Sequence, residues 1–185
     1  MLVLDPSNTA LLVIDVQERL MPTMPSPEAL AKGCGALLQM AQALELPALV
    51  TEQYPRGLGP TVDAVSSQMP SGTPVIDKTR FSALVPEVET RLADLGRTSV
   101  LVCGIEAHIC VLQTVLDLQA SGRQAFVATD AVSAGQPHQI APALYRMQEA
   151  GAILTGVLSS MYELMADKNH PAFSRCLQIA KTVQG

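Results

Sequence analysis

Apolar residues recur along this chain on two length scales. Six short, nearly unbroken apolar runs appear in turn: ALLVIDV (10–16), PALVTE (47–52), TPVIDK (73–78), SVLVCG (99–104), QAFVATD (124–130) and AILTG (152–156). Runs of this length predict strands, and their continuous apolarity predicts burial on both faces and hence a parallel sheet. Between them lie segments with helical spacing at 26–45, 85–96, 109–122 and 137–151, and two more close the chain at 159–167 and 172–182. Ser26 is expected to cap the first, with Pro27 at its first position. Gly96, Gly122 and Gly151 stop the next three. Pro142 lies inside the fourth, so that helix begins there or kinks. Strand and helix alternate throughout, which predicts a doubly wound α/β sandwich. The longest stretch without a period, QYPRGLGPTVDAVSSQMPSG (53–72), follows the second strand at the edge where open α/β sheets bind ligands.

Composition narrows the picture. A chain of 185 residues with 48% hydrophobic and 16% charged residues can bury one sizeable core, so a single domain over 1–185 is expected. Three Phe, three Tyr and no Trp leave that core to aliphatic residues and Met. The net charge of -5 comes without a basic run, so no nucleic-acid partner is expected. No stretch approaches the roughly 20 apolar residues of a membrane span. The first residues carry neither a basic region nor a small-residue cleavage site. Cys34, Cys103, Cys110 and Cys176 are widely spaced with no CxxC, which speaks against zinc and against a disulfide framework and favours a reducing cytoplasm.

Three residues stand where chemistry is expected. Asp15 ends LLVID, Lys78 ends PVIDK, and Cys110 opens the helix after LVCG. An ionisable group at the end of a buried strand costs desolvation and needs a compensating reason. A thiol at a helix start beside an ammonium is expected to ionise below the free-thiol value of about 8.5. A carboxylate nearby can take the thiol proton and return it to a leaving group, and the N–H groups of the first helical turn face the oxyanion. Each residue also has a structural explanation by itself. A buried cysteine behaves as a small hydrophobe, Asp15 can cap a loop, and Lys78 can be a solvated strand end. Cys34, Cys103 and Cys176 are assigned to that structural role, and Asp130 is expected to bond backbone N–H groups at its strand end.

The segments LLVIDVQERL, KTRFSAL and CGIEAHICVLQT, in that order and spacing, resemble the isochorismatase-like superfamily of cysteine hydrolases. TEQYPRGLGPTV and MADKNHPAF make the resemblance closest to the isochorismatase-domain-containing proteins. The resemblance implies a three-layer Rossmann-like α-β-α sandwich with six parallel strands in the order 3-2-1-4-5-6. It implies a catalytic triad of Asp15, Lys78 and Cys110. It also implies a non-proline cis peptide at Ile105–Glu106 and an oxyanion hole from the backbone N–H groups of Glu106 and Cys110. Gln17, Tyr54, Phe81, Glu106 and His108 are the candidate pocket residues. Metal-binding nicotinamidase members carry histidines after the second strand, whereas TEQYPRGLGP has none, so no metal and no cofactor are expected. Members that hydrolyse isochorismate do not use a cysteine nucleophile, so Cys110 points to amides, carbamoyl groups or nitrile-like carbons. Leu20 replaces a Phe common in the family.

The leading expectation is a metal-independent cysteine hydrolase of a small amide-like molecule. Its alternative is a non-catalytic interaction module on the same fold. A redox-sensing thiol needs a resolving cysteine, and Cys103 is nearest in sequence. Apolar residues of the closing segment, Met161, Leu164, Met165, Phe173, Leu177 and Ile179, together with Tyr145 and Met147, are expected to lie outside the core and to make a homo-oligomer.

Overall fold

The computed structural model describes residues 3–184. Six strands, β1 (Thr9–Ile14), β2 (Ala48–Gln53), β3 (Val75–Lys78), β4 (Ser99–Gly104), β5 (Gln124–Val132) and β6 (Ile153–Thr155), form one sheet in the order β3-β2-β1-β4-β5-β6. Every pairing is parallel. The expected strand order is the observed one. Its central strands β1 and β4 are buried at every position, as their unbroken apolarity requires. The edge strand β3 instead alternates exposed and buried residues.

The period of two along each strand divides the core in two. Leu11 and Val13 of β1 face one side with Leu101, Cys103 and Phe126. Leu12 and Ile14 face the other with Val100, Val102 and Val127. The first side is covered by α1 (Pro27–Ala43), α7 (Val157–Met165) and α8 (Phe173–Gln184), and two single-turn helices, α2 (Pro55–Leu58) and α3 (Asp63–Ser66), follow β2. The second side is covered by α4 (Pro86–Asp94), α5 (Leu112–Ala120) and α6 (Ile140–Glu149). Each fully buried Leu contributes about 2 kcal/mol relative to exposure, which makes this two-sided core the main stabilising element.

Several local expectations change. Ser26 stands at the start of α1, but its side chain makes no capping bond. Pro142 is the third residue of α6, which starts at Ile140 and not at the proline, so its missing N–H falls in the first turn, where it is harmless. Asp130 accepts the N–H of Val157 at 2.8 Å and so caps α7. The helix after β4 begins earlier than expected, with a π-turn over Ala107–Val111 in which Val111 N–H reaches Glu106 C=O at 3.1 Å. Cys110 therefore lies within the first turn instead of opening it. The stretch at 53–72 is ordered by α2, α3 and a bridge between Gln17 and Thr61.

The argument for an oligomer from the closing segment does not hold. Met147, Met161, Leu164, Met165 and Ile179 are all buried within the chain itself, and Phe173 and Leu177 are partly buried. α8 lies on α1, so these residues complete the monomer core instead of an interface. Tyr145 stays exposed. Among the described residues no helix is long and apolar enough to cross a membrane.

Candidate active site

Register brings the site together. Ile14 sits opposite Thr51 of β2 and Gly104 of β4, and Lys78 pairs with Gln53, so four strands end level with one another. Asp15 is the next residue after β1. Its backbone is left-handed (φ 54°), a region that Asp tolerates better than most residues, and its side chain is fully buried. Gly104 has no alternative, because its φ is 116° and a Cβ there would collide with the Ile14 carbonyl oxygen. That close approach lets β4 end beside Asp15 and release the chain into the cysteine turn.

The Asp15 carboxylate is held at both oxygens. Thr51 Oγ1 donates to Oδ1 at 2.8 Å, and Lys78 Nζ donates to Oδ2 at 2.6 Å. The Lys78 ammonium also has Gln53 Oε1 at 2.8 Å, Phe81 O at 3.0 Å and Arg80 O at 3.2 Å. Two charges removed from water persist only when their remaining hydrogen-bonding capacity is met, and here it is met on both partners. Burial raises the Asp15 pKa above the ordinary carboxylate value, opposed chiefly by the Lys78 charge.

The Cys110 thiol faces this carboxylate and the backbone N–H of Glu106. Its environment overturns the expected low-pKa thiolate. Burial and then the Asp15 charge push the thiol up to about 12, and Lys78 only partly opposes them. The ammonium is engaged with Asp15 first, so the sulfur meets a carboxylate and not a free cation. Cys110 rests as a neutral thiol whose hydrogen is directed to a base. The Ile105–Glu106 peptide is cis.

The pocket candidates divide. Glu106 and His108 flank the thiol in its own turn, with His108 Nδ1 at 3.5 Å from Glu106 Oε2. Tyr54 and Phe81 lie beside Lys78 but contact it through backbone: Tyr54 N–H donates to Lys78 O at 2.8 Å, and Phe81 O accepts from Nζ. Both rings are exposed. Gln17 is committed elsewhere. Its Nε2 donates to Gly59 O at 2.6 Å and Gln53 O at 3.1 Å, and its Oε1 accepts Gln53 N–H at 2.7 Å, so it clamps the chain after β2 and has little to offer a substrate.

Thr51, Gln53 and Thr114 join the site with no motif to mark them. Thr114 Oγ1 donates to the Cys110 carbonyl at 2.6 Å and accepts Ala83 N–H at 2.7 Å, tying the segment after Lys78 to the cysteine turn. Its place four residues after Cys110 is the one available signal, since a helical Thr bonds the carbonyl one turn back.

Comparisons with known proteins place the chain in a family. The sequence profile of the isochorismatase domain matches residues 9–158. The chain belongs to the isochorismatase family. It is 38% identical to the secreted isochorismatase effector Isc1 of Phytophthora sojae, over 95% of this chain and 86% of that protein. It is 36% identical to isochorismatase domain-containing protein 1 of Danio rerio, covering 96% of this chain but only 62% of that longer protein. Among solved structures, a protein described as MAR1 ribonuclease from Caenorhabditis elegans superposes with a TM-score of 0.93 at 36% identity, covering 96% of this chain and 92% of the other. This isochorismatase-family chain thus has the fold of a hydrolase family.

The metal of the nicotinamidase branch does not fit the residues present. After β2 the chain offers Gln53, Tyr54, Pro55 and Arg56, an amide, a phenol and a cation, in place of imidazoles. Among the described residues no three His, Cys, Asp or Glu side chains converge as ligands. The redox reading of Cys110 loses its partner, because Cys103 faces the α1 side of the sheet and Cys110 the α5 side.

Proposed function

We propose that this chain is a cysteine hydrolase that cleaves a C–N bond of a small amide-like substrate, without a catalytic metal. The observation that carries the reading is the contact of the Cys110 thiol with a buried carboxylate that is itself paired to Lys78. A scaffold has no use for two buried charges converging on a thiol.

The Cys110 sulfur attacks the carbonyl carbon as its proton passes to Asp15. Burial makes this carboxylate a stronger base than an exposed one, while Lys78 keeps its charged form available. The developing oxyanion is received by backbone N–H groups of the cysteine turn, those of Glu106 and Cys110. Collapse breaks the C–N bond, and the departing nitrogen takes the proton held by Asp15, leaving a thioester on Cys110. Water then attacks the thioester carbon with Asp15 as base. The carboxylic acid departs, and the sulfur recovers its proton. A nitrogen leaving group needs that proton, which is why this arrangement suits amides and carbamoyl compounds.

A panel of small amides, ureas and nitriles, followed by ammonia or amine release and by intact mass, tests the reading. Turnover with an acyl adduct on Cys110, abolished in Cys110→Ala and unaffected by EDTA, is expected. Loss of activity in EDTA with recovery on adding zinc would overturn the metal-free part. Because one structural relative is described as a ribonuclease, RNA belongs in the panel. RNA cleavage that survives Cys110→Ala would replace this proposal, although a net charge of -5 disfavours a phosphate backbone.

We also propose a reducing, cytoplasmic setting, supported by four free buried cysteines, and a homo-oligomer whose smallest unit is a dimer. Tyr54 and Phe81, exposed beside Lys78, are the apolar surface nearest the site. Sedimentation at a single 19.6 kDa species would refute the oligomer.

A further inference from the structure

The charge balance around Cys110 is uneven. Asp15 and Lys78 neutralise each other, and the ammonium already has four acceptors within 3.2 Å, one more than its three N–H groups can serve. Lys78 is therefore not available to an anionic substrate. Arg80, two residues after Lys78, is exposed and turned toward Asp117 at 3.5 Å. The remaining ionisable side chains that flank the thiol are those of Glu106, whose backbone N–H faces the sulfur, and His108 beside it.

The Glu106 carboxylate accepts no hydrogen bond among the described residues, and its side chain is 21% exposed. One oxygen lies 3.5 Å from His108 Nδ1, a buried nitrogen that itself has no hydrogen-bond partner. The other lies 3.6 Å from where a Cβ on Gly135 would be, and Thr23 borders that same glycine. This places the carboxylate between the chain after β1 and the chain after β5, in the crevice where the sheet order reverses between β1 and β4. A half-buried carboxylate without donors attracts N–H groups and positive charge and repels anions.

We infer that Glu106 sets the charge class of the substrate. The site takes amides, ureas or carbamoyl compounds that present N–H donors or a positive charge beside the scissile carbon, and it rejects those bearing a carboxylate there. His108 Nδ1 supplies a second polar contact to the same group. This inference rests on the cysteine-hydrolase reading, and its test avoids turnover so that the two stand or fall separately.

Cys110 is alkylated in the native protein with iodoacetamide and with iodoacetate, two reagents of nearly equal size that differ in charge, and the adduct is located by mass. Each rate is divided by that of a small free thiol measured at the same pH, about 8. The normalised preference for the amide reagent is expected to be about tenfold in wild type and to fall within about threefold in Glu106→Gln. Glu106→Asp, which keeps the charge, restores it. Changes in Cys110 acidity affect both reagents alike and cancel in the ratio. A preference that Glu106→Gln leaves unchanged, or the absence of any preference in wild type, overturns the inference while the nucleophile stands. Failure of both reagents to reach Cys110 overturns the inference and the hydrolase reading together.

Discussion

Cys103 and Cys110 are seven positions apart in sequence, both are buried, and both thiols are held above their ordinary pKa, Cys103 by its hydrogen bond with Cys34 and then by burial, Cys110 by burial first. Only one of them faces the Asp15 carboxylate. Cys103 lies in β4 on the α1 side of the sheet, where its nearest polar partner is the thiol of Cys34. Cys110 lies past the end of the same strand, on the other side, where Asp15 and Lys78 meet it. Burial alone makes a cysteine inert, and burial against a base makes it a proton donor in waiting. The cost of keeping Asp15 and Lys78 dry is borne only at the strand ends, where Gly104 permits the close approach to β1.

The largest effect that can break this comparison is on activity. Cys110→Ala is expected to lower turnover by at least about a thousandfold, roughly 4 kcal/mol of barrier, with the fold intact. Cys103→Ala is expected to stay within about threefold. Turnover by Cys110→Ala within about tenfold of wild type, measured on the best amide found, removes covalent catalysis. Asp15→Asn keeps the shape but loses the base, and a fall of about a hundredfold or more is expected.

Next comes stability. Lys78→Met leaves the Asp15 carboxylate buried with Thr51 and the Cys110 thiol as its remaining side-chain donors and no cation, and breaking such a pair costs about 3–5 kcal/mol. The double variant Asp15→Asn with Lys78→Met is expected to recover most of that loss, because no charge is then stranded. Urea unfolding of the three variants gives the coupling directly, and additive single effects would mean that the pair is not a unit.

Much of this is legible in the sequence. The central strands announce themselves by unbroken apolarity, and Asp15, Lys78 and Cys110 by standing at the ends of such runs. Strand register then brings those ends level, which no single segment displays. The acidity of Cys110 is not legible, because sequence shows the presence of Lys78 and not its commitments. With Asp15, Gln53 and two backbone carbonyls around it, the ammonium is engaged before the thiol is considered. The closing segment misleads for a related reason. Apolar residues at helical spacing look alike whether they face a partner or α1, and only the position of α8 tells them apart. Gln17 stands two residues after Asp15 and so resembles a pocket residue, whereas its amide is used up in holding the chain after β2.

Thr114 sharpens the comparison on the Cys110 side, since nothing of the kind is seen at Cys103. Thr114→Val keeps the volume but leaves Ala83 N–H buried without its acceptor, a loss of about 1–3 kcal/mol. If the hydroxyl positions the cysteine turn, kcat also falls, by about tenfold, while KM barely moves. Thr114→Ser, which keeps the hydroxyl, is expected to restore both. A purely structural role would lower the unfolding midpoint and leave kcat alone.

The smallest effect is the response of stability to alkali, and it separates the two cysteines by proton linkage. An exposed thiol loses its proton near 9.0, whereas Cys110 keeps its proton up to about 12. Between those values the unfolded chain binds fewer protons than the folded one, so stability falls as pH rises. Cys110 therefore contributes fully below about pH 9 and loses about 1 kcal/mol between pH 9 and 10. Cys110→Ala removes that part of the slope and leaves the part due to Cys103, whose pKa is also raised, so the variant should lose less stability than wild type over the same interval. Cys103→Ala should flatten the slope as well, but only Cys110 should respond to Asp15→Asn, because only its proton is held partly by that charge. The response should be partial, since burial outweighs Asp15 in holding the proton. Urea unfolding at pH 9 and 10 measures the slopes of wild type and the two cysteine variants, and the pH dependence of Cys110 alkylation in wild type and Asp15→Asn measures the response to the carboxylate. An alkylation midpoint for Cys110 in Asp15→Asn identical to that of wild type would mean that the carboxylate does not govern the thiol, and the contrast between the two cysteines would lose its electrostatic part.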